Sequence, residues 1–331
     1  MNILEKREGT SEGGMMNIEE MKFFADLGYR LDCYKNKVYP EIVVNQGENI
    51  PKSDTTLMVV IPTYGREDKQ KVYYQFPKHL RETVVYLATK EERYDLLKKN
   101  NPDAKIIKLP ESVHGIAATR QACINHLPKG KVWMLDDQVK LQLKDTDLRV
   151  VGQCSPEEVE QLYHLIDYLL DYYIQVGVSG RPGNDKYTVW LRENVRIYTC
   201  YGLRTDIMEE NNFRFTGLYE KDPEMIFMED FYLNLSMLTS GFPNVCIWDF
   251  VADHHHNKPG GNSLFRKEEI NTKCWKELKR LFPDYIKLKK VDRTSWGKGM
   301  QGERTEGVIY WKNAFKEAVQ KNPKVKTRSL F

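Results

Sequence analysis

The chain has 331 residues, 41% of them hydrophobic, 29% charged and 11% aromatic, a composition that excludes disorder throughout and allows one large domain or two smaller ones. No apolar run approaches the roughly 18 residues of a membrane span, and residues 1–16 are polar with paired glycines and lack the apolar core of a signal peptide, so a soluble cytoplasmic protein is expected. The net charge of +3 conceals a division: residues 264–331 carry 18 Lys and Arg against 8 Asp and Glu, and a basic end on an acidic body suggests a polyanionic partner unless it is only a solvated lysine-rich face.

Residues 1–53 read as an N-terminal extension, with an amphipathic stretch at Ile18–Leu27 and a turn-rich lead-in at Gly47 and Pro51. Periodicity begins at Leu57. Leu57–Ile61 is a buried strand closed by Pro62-Thr63-Tyr64-Gly65, and Thr83–Leu87 is a second strand. Lys90–Asn100 is a charged helix stopped by Asn101-Pro102, Ala104–Leu109 is a third strand, and a helix over Ile116–His126 follows Gly115. Val132–Leu135 is a fourth strand, wholly apolar, that stops on Asp136-Asp137. Strands alternating with helices at this spacing imply βαβ crossovers and a mostly parallel α/β sheet flanked by helices.

The second half is less regular. Ser155 is an N-cap, Pro156 sits at the first helical position and Glu158 completes a capping box, opening a helix to about Gln175. A short strand at Val176–Ser179, a loop at Arg181–Asp185, a strand at Arg196–Leu203 and a helix at Met228–Leu238 follow. The last strand, Asn244–Trp248, runs on through Phe250 to Asp253-His254-His255-His256, ahead of Gly260-Gly261. Two helices, Lys267–Leu281 and Val308–Gln320, are expected in the basic remainder. The chain thus divides into an extension (1–53), an α/β domain (54–262) and a basic helical C-terminal region (263–331). The six cysteines contain no CxxC and read as free thiols, mostly core filler.

Four groups of residues carry candidate chemistry. A buried strand ending in Asp136-Asp137 presents carboxylates at the carboxyl edge of a sheet, where open α/β folds bind ligands, and two acids suit a hard cation that also grips a phosphate; the plain alternative is turn chemistry. His254 and His256 share one face of an extended segment, and imidazole beside carboxylate favours Mn²⁺ over Mg²⁺, although adjacent histidines alone do not make a site. Glu229-Asp230 opens a helix, where the dipole favours acids in any case; one carboxylate free of metal would serve as a general base. In the loop after the first strand Tyr64 suits stacking on a base and Arg66 suits phosphate, as does Arg120 one βα unit before the acids. The absence of GxGxxG after that strand, and of GxxxxGK[ST] anywhere, argues against dinucleotide enzymes and P-loop NTPases.

In this order the motifs resemble those of GT-A-type glycosyltransferases over residues 55–262: Pro62-Thr63-Tyr64 and Arg66, the helix behind Gly115 with Ala117, Ala118 and Arg120, the Asp-Asp strand end, the Glu-Asp helix start, and histidine after the last strand. The wording of Ile61–Arg66, Gly115–Arg120 and Met134–Gln138 is similar to that of the bacteriophage TET-associated glycosyltransferases. The resemblance implies a GT-A Rossmann-like fold and transfer of a sugar from a nucleotide sugar, a UDP-sugar such as UDP-glucose, to a hydroxymethylated pyrimidine in double-stranded phage DNA. It implies donor contacts from Pro62, Thr63, Tyr64, Arg66, Arg120 and Asp136, and a divalent cation (Mn²⁺ or Mg²⁺) on Asp137 with His254 or His256. It also implies Asp230, with Glu229 beside it, as the base of an inverting hexosyltransferase in the cytoplasm of the infected bacterium. One position departs: Gln138 stands where the DXD motif has its third acid, which leaves the metal to Asp137. The basic tail agrees with a DNA acceptor, and Trp275, Trp296 and Trp311 are either supports for an extruded base or ordinary packing. The alternatives are a glycan or protein acceptor, a nucleotidyltransferase, and a nucleic-acid-binding protein on an inactive transferase fold.

Overall fold

The computed structural model describes residues 27–39, 50–146, 150–180, 190–225, 227–254, 268–293 and 302–321. Among these, ten strands form one sheet in the order β3 (Lys105–Leu109), β2 (Val85–Lys90), β1 (Met58–Pro62), β4 (Lys131–Leu135), β9 (Cys200–Arg204), β7 (Gln175–Ser179), β10 (Asn244–His254), β5 (Val139–Lys144) and β6 (Val150–Gln153), with β8 (Leu191–Glu193) also paired to β10. The first four are mutually parallel, and only β9, β5 and β8 oppose the common direction. This mostly parallel, mixed sheet is the architecture expected from the strand and helix alternation.

Helices α1 (Leu27–Asn36), α2 (Lys78–Thr83), α3 (Tyr94–Asn100), α4 (Gly115–His126), α5 (Pro156–Leu169), α6 (Thr205–Glu210), α7 (Glu229–Thr239), α8 (Glu268–Leu281) and α9 (Trp311–Lys321) accompany it. Both faces of the sheet are covered, which is why β4 reads as an unbroken apolar run. Trp133 and Leu135 share one core with Val159, Leu162, Ile166 and Leu169 of α5. Val132 and Met134 share the other with Ala117, Cys123 and Ile124 of α4 and Leu233 and Met237 of α7. Each Val, Leu, Ile or Met side chain among these stabilises the fold by about 1.5–3 kcal/mol on burial. Helix α5 starts as its sequence dictates: Ser155 Oγ accepts from Glu158 N while Glu158 Oε2 accepts from Ser155 N at 2.7 Å.

Two expectations change. Helix α5 stops at Leu169 rather than Gln175 because Ile174-Gln-Val-Gly-Val178 enters the sheet, and a short apolar run does not itself distinguish buried strand from helix. The C-terminal region is not wholly helical: β11 (Ile286–Arg293) and β12 (Gly302–Ile309) form a hairpin between α8 and α9. Its period-two pattern buries Ile286 and leaves Lys287 and Lys289 exposed. This region packs on α7, with Leu235 and Leu238 in one cluster with Cys274, Trp275, Leu278 and Phe315. Within the N-terminal extension, α1 is pinned to β10: Arg30 Nε and Nη2 donate to Asp249 at 2.7 and 2.8 Å, and Tyr34 donates to the same carboxylate. The Ile18–Leu27 stretch falls almost wholly outside the described residues, as does the Arg181–Asp185 loop. No helix among the described residues is long and apolar enough to cross a membrane.

Candidate functional site

The carboxyl edge of β4 is a turn. Asp136 N donates to Thr199 O at 2.9 Å, Val139 N donates to Asp136 O at 3.1 Å, and the chain enters β5, which pairs with the distant β10. Asp137 is buried in this turn. Its Oδ2 accepts from Thr63 Oγ1 and its Oδ1 from Arg66 Nη1, each at 2.9 Å. Thr63 in turn accepts from Gln70 Nε2 at 2.8 Å, and the same nitrogen donates to Arg66 O. Gln138, with its amide oxygen turned to Arg66, accepts from Nε and Nη2 at 2.5 and 3.0 Å. The uncharged residue at the third position of the acidic motif is therefore paired with the guanidinium that holds Asp137. Burial pushes the Asp137 carboxyl up to about 6, against the pull of Arg66 and Thr63.

Pro62 ends β1 in register with Ala88, and Thr63 N donates to Ala88 O at 2.8 Å, so the loop leaves the sheet at a fixed point. Tyr64 is exposed, with its hydroxyl donating to Glu92 Oε1 at 3.0 Å and its ring approached by Lys90 and Arg93 at 5.6 and 5.2 Å. These two cations beside Tyr64 were not singled out in the sequence, where they are unremarkable members of a charged run.

Arg120 lies in α4, one turn beyond Gly115, whose φ of +77° suits glycine at the helix start. The side chain is buried, and its two terminal nitrogens are both engaged: Nη2 donates to Asp136 Oδ1 at 2.8 Å and Nη1 to Glu229 Oε1 at 2.5 Å. Arg120 thus bridges two acids far apart in sequence and is not a free cation at the surface. Its Nε is buried without a partner among the described residues. Burial pushes Glu229 well above the ordinary carboxylate range, more than Arg120 lowers it.

Helix α7 begins immediately after Met228, whose φ is +66°, and Thr199, which accepts from Asp136 N, has φ +62°. Left-handed backbone is uncommon for non-glycine residues and a genuine outlier for β-branched threonine; such strain gathers at functional sites. Asp230 is held by Arg196, whose Nε and Nη2 donate to Oδ2 at 3.2 and 2.8 Å. The Arg196 guanidinium lies 3.9 Å from the Phe231 ring centre and 4.6 Å from that of Tyr198. Asn234 ties the two segments together, donating to Asp230 O and Ile197 O and accepting from Ile197 N. Arg196 was legible in the sequence only as the start of a strand.

His254 is the ladder partner of Val139, which places its backbone beside the acidic turn; its side chain, His255, His256, Gly260-Gly261 and Trp296 lie outside the described residues. Among the described residues no three His, Cys, Asp or Glu side chains converge as metal ligands. Trp275 is buried against Phe231 at 5.0 Å and Trp311 stacks on Phe231 at 6.0 Å, so both are packing residues under α7. All six cysteines are buried free thiols.

Comparison with known proteins adds a family. A model of the TET-associated glycosyltransferases matches residues 57–261. Two curated proteins named beta-glucosyl-HMC-alpha-glucosyl-transferase, from the enterobacteria phages T6 and T2, are each 25% identical over 248 residues, covering 70% of this chain and 84% of theirs. Among solved structures, the mannosyltransferase PcManGT of Pyrobaculum calidifontis, in complex with GDP-Man and Mn²⁺, superposes with a TM-score of 0.44 at 15% identity, covering 78% of this chain and 72% of that one.

Proposed function

The chain belongs to the TET-associated glycosyltransferases, and from that premise we propose that it transfers a sugar from a UDP-sugar to a hydroxymethylated pyrimidine in double-stranded phage DNA, in the cytoplasm of the infected bacterium. The observation that carries this reading is the meeting of two acid pairs through one buried guanidinium: Arg120 joins Asp136, at the edge of β4, to Glu229, at the start of α7. A donor lying along the edge of β1 and β4 would meet Thr63, Tyr64 and Arg66 on one side and Asp136 on the other. The relatives' printed names, which join glucosyl transfer to HMC, support the acceptor, as does the basic C-terminal region packed beneath α7.

Asp137 and a histidine from 254 or 256 would hold a divalent cation, which when bound neutralises the departing diphosphate. The fit rests on donor chemistry: a carboxylate at the turn and His254 across the β5–β10 ladder are ligand types that Mn²⁺ accepts. Arg66, bonded to Gln138 as well as to Asp137, would keep a positive charge beside the donor phosphates. Asp230, with Oδ2 on Arg196 and Oδ1 without a partner among the described residues, takes the proton of the acceptor hydroxyl. The acceptor oxygen bonds to the anomeric carbon as the bond from that carbon to the diphosphate oxygen breaks, and the nucleoside diphosphate leaves with the electron pair. Attack opposite the leaving group inverts the anomeric centre, so an α-linked donor gives a β-linked product. The relatives' names favour a second reading, in which the acceptor is a glucose already on the base and the new linkage is α. The experiment is incubation with a panel of nucleotide sugars and plain, hydroxymethylated or β-glucosylated duplex DNA, followed by nucleoside mass and proton NMR analysis. Gain of one sugar on hydroxymethylated DNA with a β-anomeric signal is expected; no gain with any donor would sink the DNA assignment, and an α signal would remove Asp230 as an inverting base.

A further inference from the structure

Arg196 has no place in the chemistry described so far beyond its grip on Asp230, yet its setting is that of a recognition residue. One edge of the guanidinium, Nε and Nη2, is on Asp230 Oδ2. Its central carbon lies over the Phe231 and Tyr198 rings, 3.9 and 4.6 Å from their centres. The other edge, Nη1, has no partner among the described residues, and the side chain is 38% exposed. This differs from Arg120, whose Nη1 and Nη2 are both occupied inside the protein and whose side chain is buried. Two rings and a carboxylate hold the fork in one orientation, and Phe231 is itself backed by Trp275 and Trp311. A planar, permanently charged group fixed this way loses little conformational freedom on binding, and its donor geometry matches a phosphate's oxygens.

We propose that Arg196 is the acceptor-side anchor of the site, its free edge taking a backbone phosphodiester of the DNA next to the target nucleotide while its other edge holds Asp230 towards the acceptor hydroxyl. The inference rests on the reading of DNA as acceptor and of Asp230 as base. It assigns a single residue to two linked tasks: a phosphate contact, which is read in salt dependence, and the orientation of the carboxylate, which is read in turnover.

The test is steady-state transfer to hydroxymethylated duplex DNA at several salt concentrations by wild type, Arg196→Ala and Arg196→Lys. For R196A, KM for DNA should rise about tenfold or more, as expected for loss of a charged hydrogen-bonded contact, and the plot of log kcat/KM against log salt should become shallower by about 0.9, the loss of one phosphate contact. R196K, which keeps the charge without the fork, should retain the wild-type salt slope with a partial rise in KM. Calorimetric titration with the UDP-sugar alone checks that each variant is folded; should R196A fail that check, Arg196→Gln, which keeps the stem and a planar head, carries the same expectation. A wild-type salt slope in R196A or R196Q, with only kcat reduced, would overturn the anchor and leave Arg196 as an orienting partner of Asp230. Absence of any salt-dependent transfer by wild type would instead overturn the DNA reading, and the anchor with it.

Discussion

Replacing Asp137 by Asn should make the ligand-free protein more stable near neutral pH while abolishing transfer. Burial, first among the causes, raises this carboxyl from 3.8 to about 6, even with Arg66 and Thr63 drawing it down. The folded protein therefore holds the Asp137 proton more tightly than the unfolded chain. The stability this contributes is complete below about pH 3.8 and is lost as the pH rises to about 6. At about 1.4 kcal/mol for each tenfold change in proton affinity, the loss approaches roughly 3 kcal/mol, and the favourable pull of Arg66 is already contained in it. Asn does not titrate, and the Thr63 hydroxyl can turn to accept from its amide. Urea unfolding of both proteins at stepped pH in chelator is the assay. The difference should move towards the variant by up to roughly 3 kcal/mol between pH 3.5 and 7, while Glu229, common to both, cancels. Adding Mn²⁺ should then raise the wild-type midpoint and leave that of D137N in place, because a cation favours the ionised carboxylate. A stability difference that stays flat from pH 4 to 7, or moves towards wild type, would refute the reasoning.

Removing Arg120 should be among the most damaging changes: R120A leaves Asp136 and Glu229 facing each other without their shared cation, at a cost of about 3–5 kcal/mol in urea unfolding, and adding E229Q should recover at least about 1 kcal/mol of it in a double-mutant cycle. Asp230→Asn should lower transfer by about a hundredfold or more with UDP-sugar affinity within a few-fold of wild type by calorimetry; transfer at the wild-type rate would eliminate Asp230 as the base. Gly307→Ala places a Cβ 2.2 Å from Trp275 Cζ3 and should cost about 1–3 kcal/mol, seen as faster proteolysis of the β11–β12 hairpin.

Much of the sheet was legible because β1, β2 and β4 are largely buried, so each carries an apolar run between turn signals, while β3, at the sheet edge with Lys108 exposed, still shows Ile106-Ile107 between its lysines. The short strands β5, β6 and β8 were not legible. They owe their conformation to pairing with β10 or with each other; β5 does alternate, Val139-Lys-Leu-Gln-Leu-Lys144, but it follows the acidic turn directly, with no spacer to set it apart as a strand of its own. The hairpin β11–β12 was missed for a different reason: Lys287 and Lys289 gave charge the greater weight, although the alternation with Ile286 and Leu288 was present. At the site, Asp136, Asp137, Glu229 and Asp230 stood out because acids follow an apolar run or open a helix. Their partners were hidden. Nothing local tells that Arg120 will be buried between two acids, that Arg66 will bind both Asp137 and Gln138, or that Arg196 will reach Asp230, since these contacts span between 16 and 109 residues of sequence.

Those partners account for how an acid-rich edge can receive an anionic donor and an anionic acceptor. Four carboxylates grouped at this edge would repel both, by several kcal/mol at the low effective dielectric of a partly buried site. Three arginines sit among them: Arg66 on Asp137, Arg120 between Asp136 and Glu229, and Arg196 on Asp230. Burial shifts Asp137 and Glu229 towards the protonated form, which lowers the negative charge of this edge further. Its guanidinia differ in exposure in a way that suits the two substrates: Arg120 is sealed in, whereas Arg66 and Arg196 reach solvent, the first beside the loop after β1 and the second beside α7. On the proposed roles, the charge that meets each substrate would come from an arginine already fixed on a carboxylate, Arg66 on Asp137 for the donor and Arg196 on Asp230 for the acceptor.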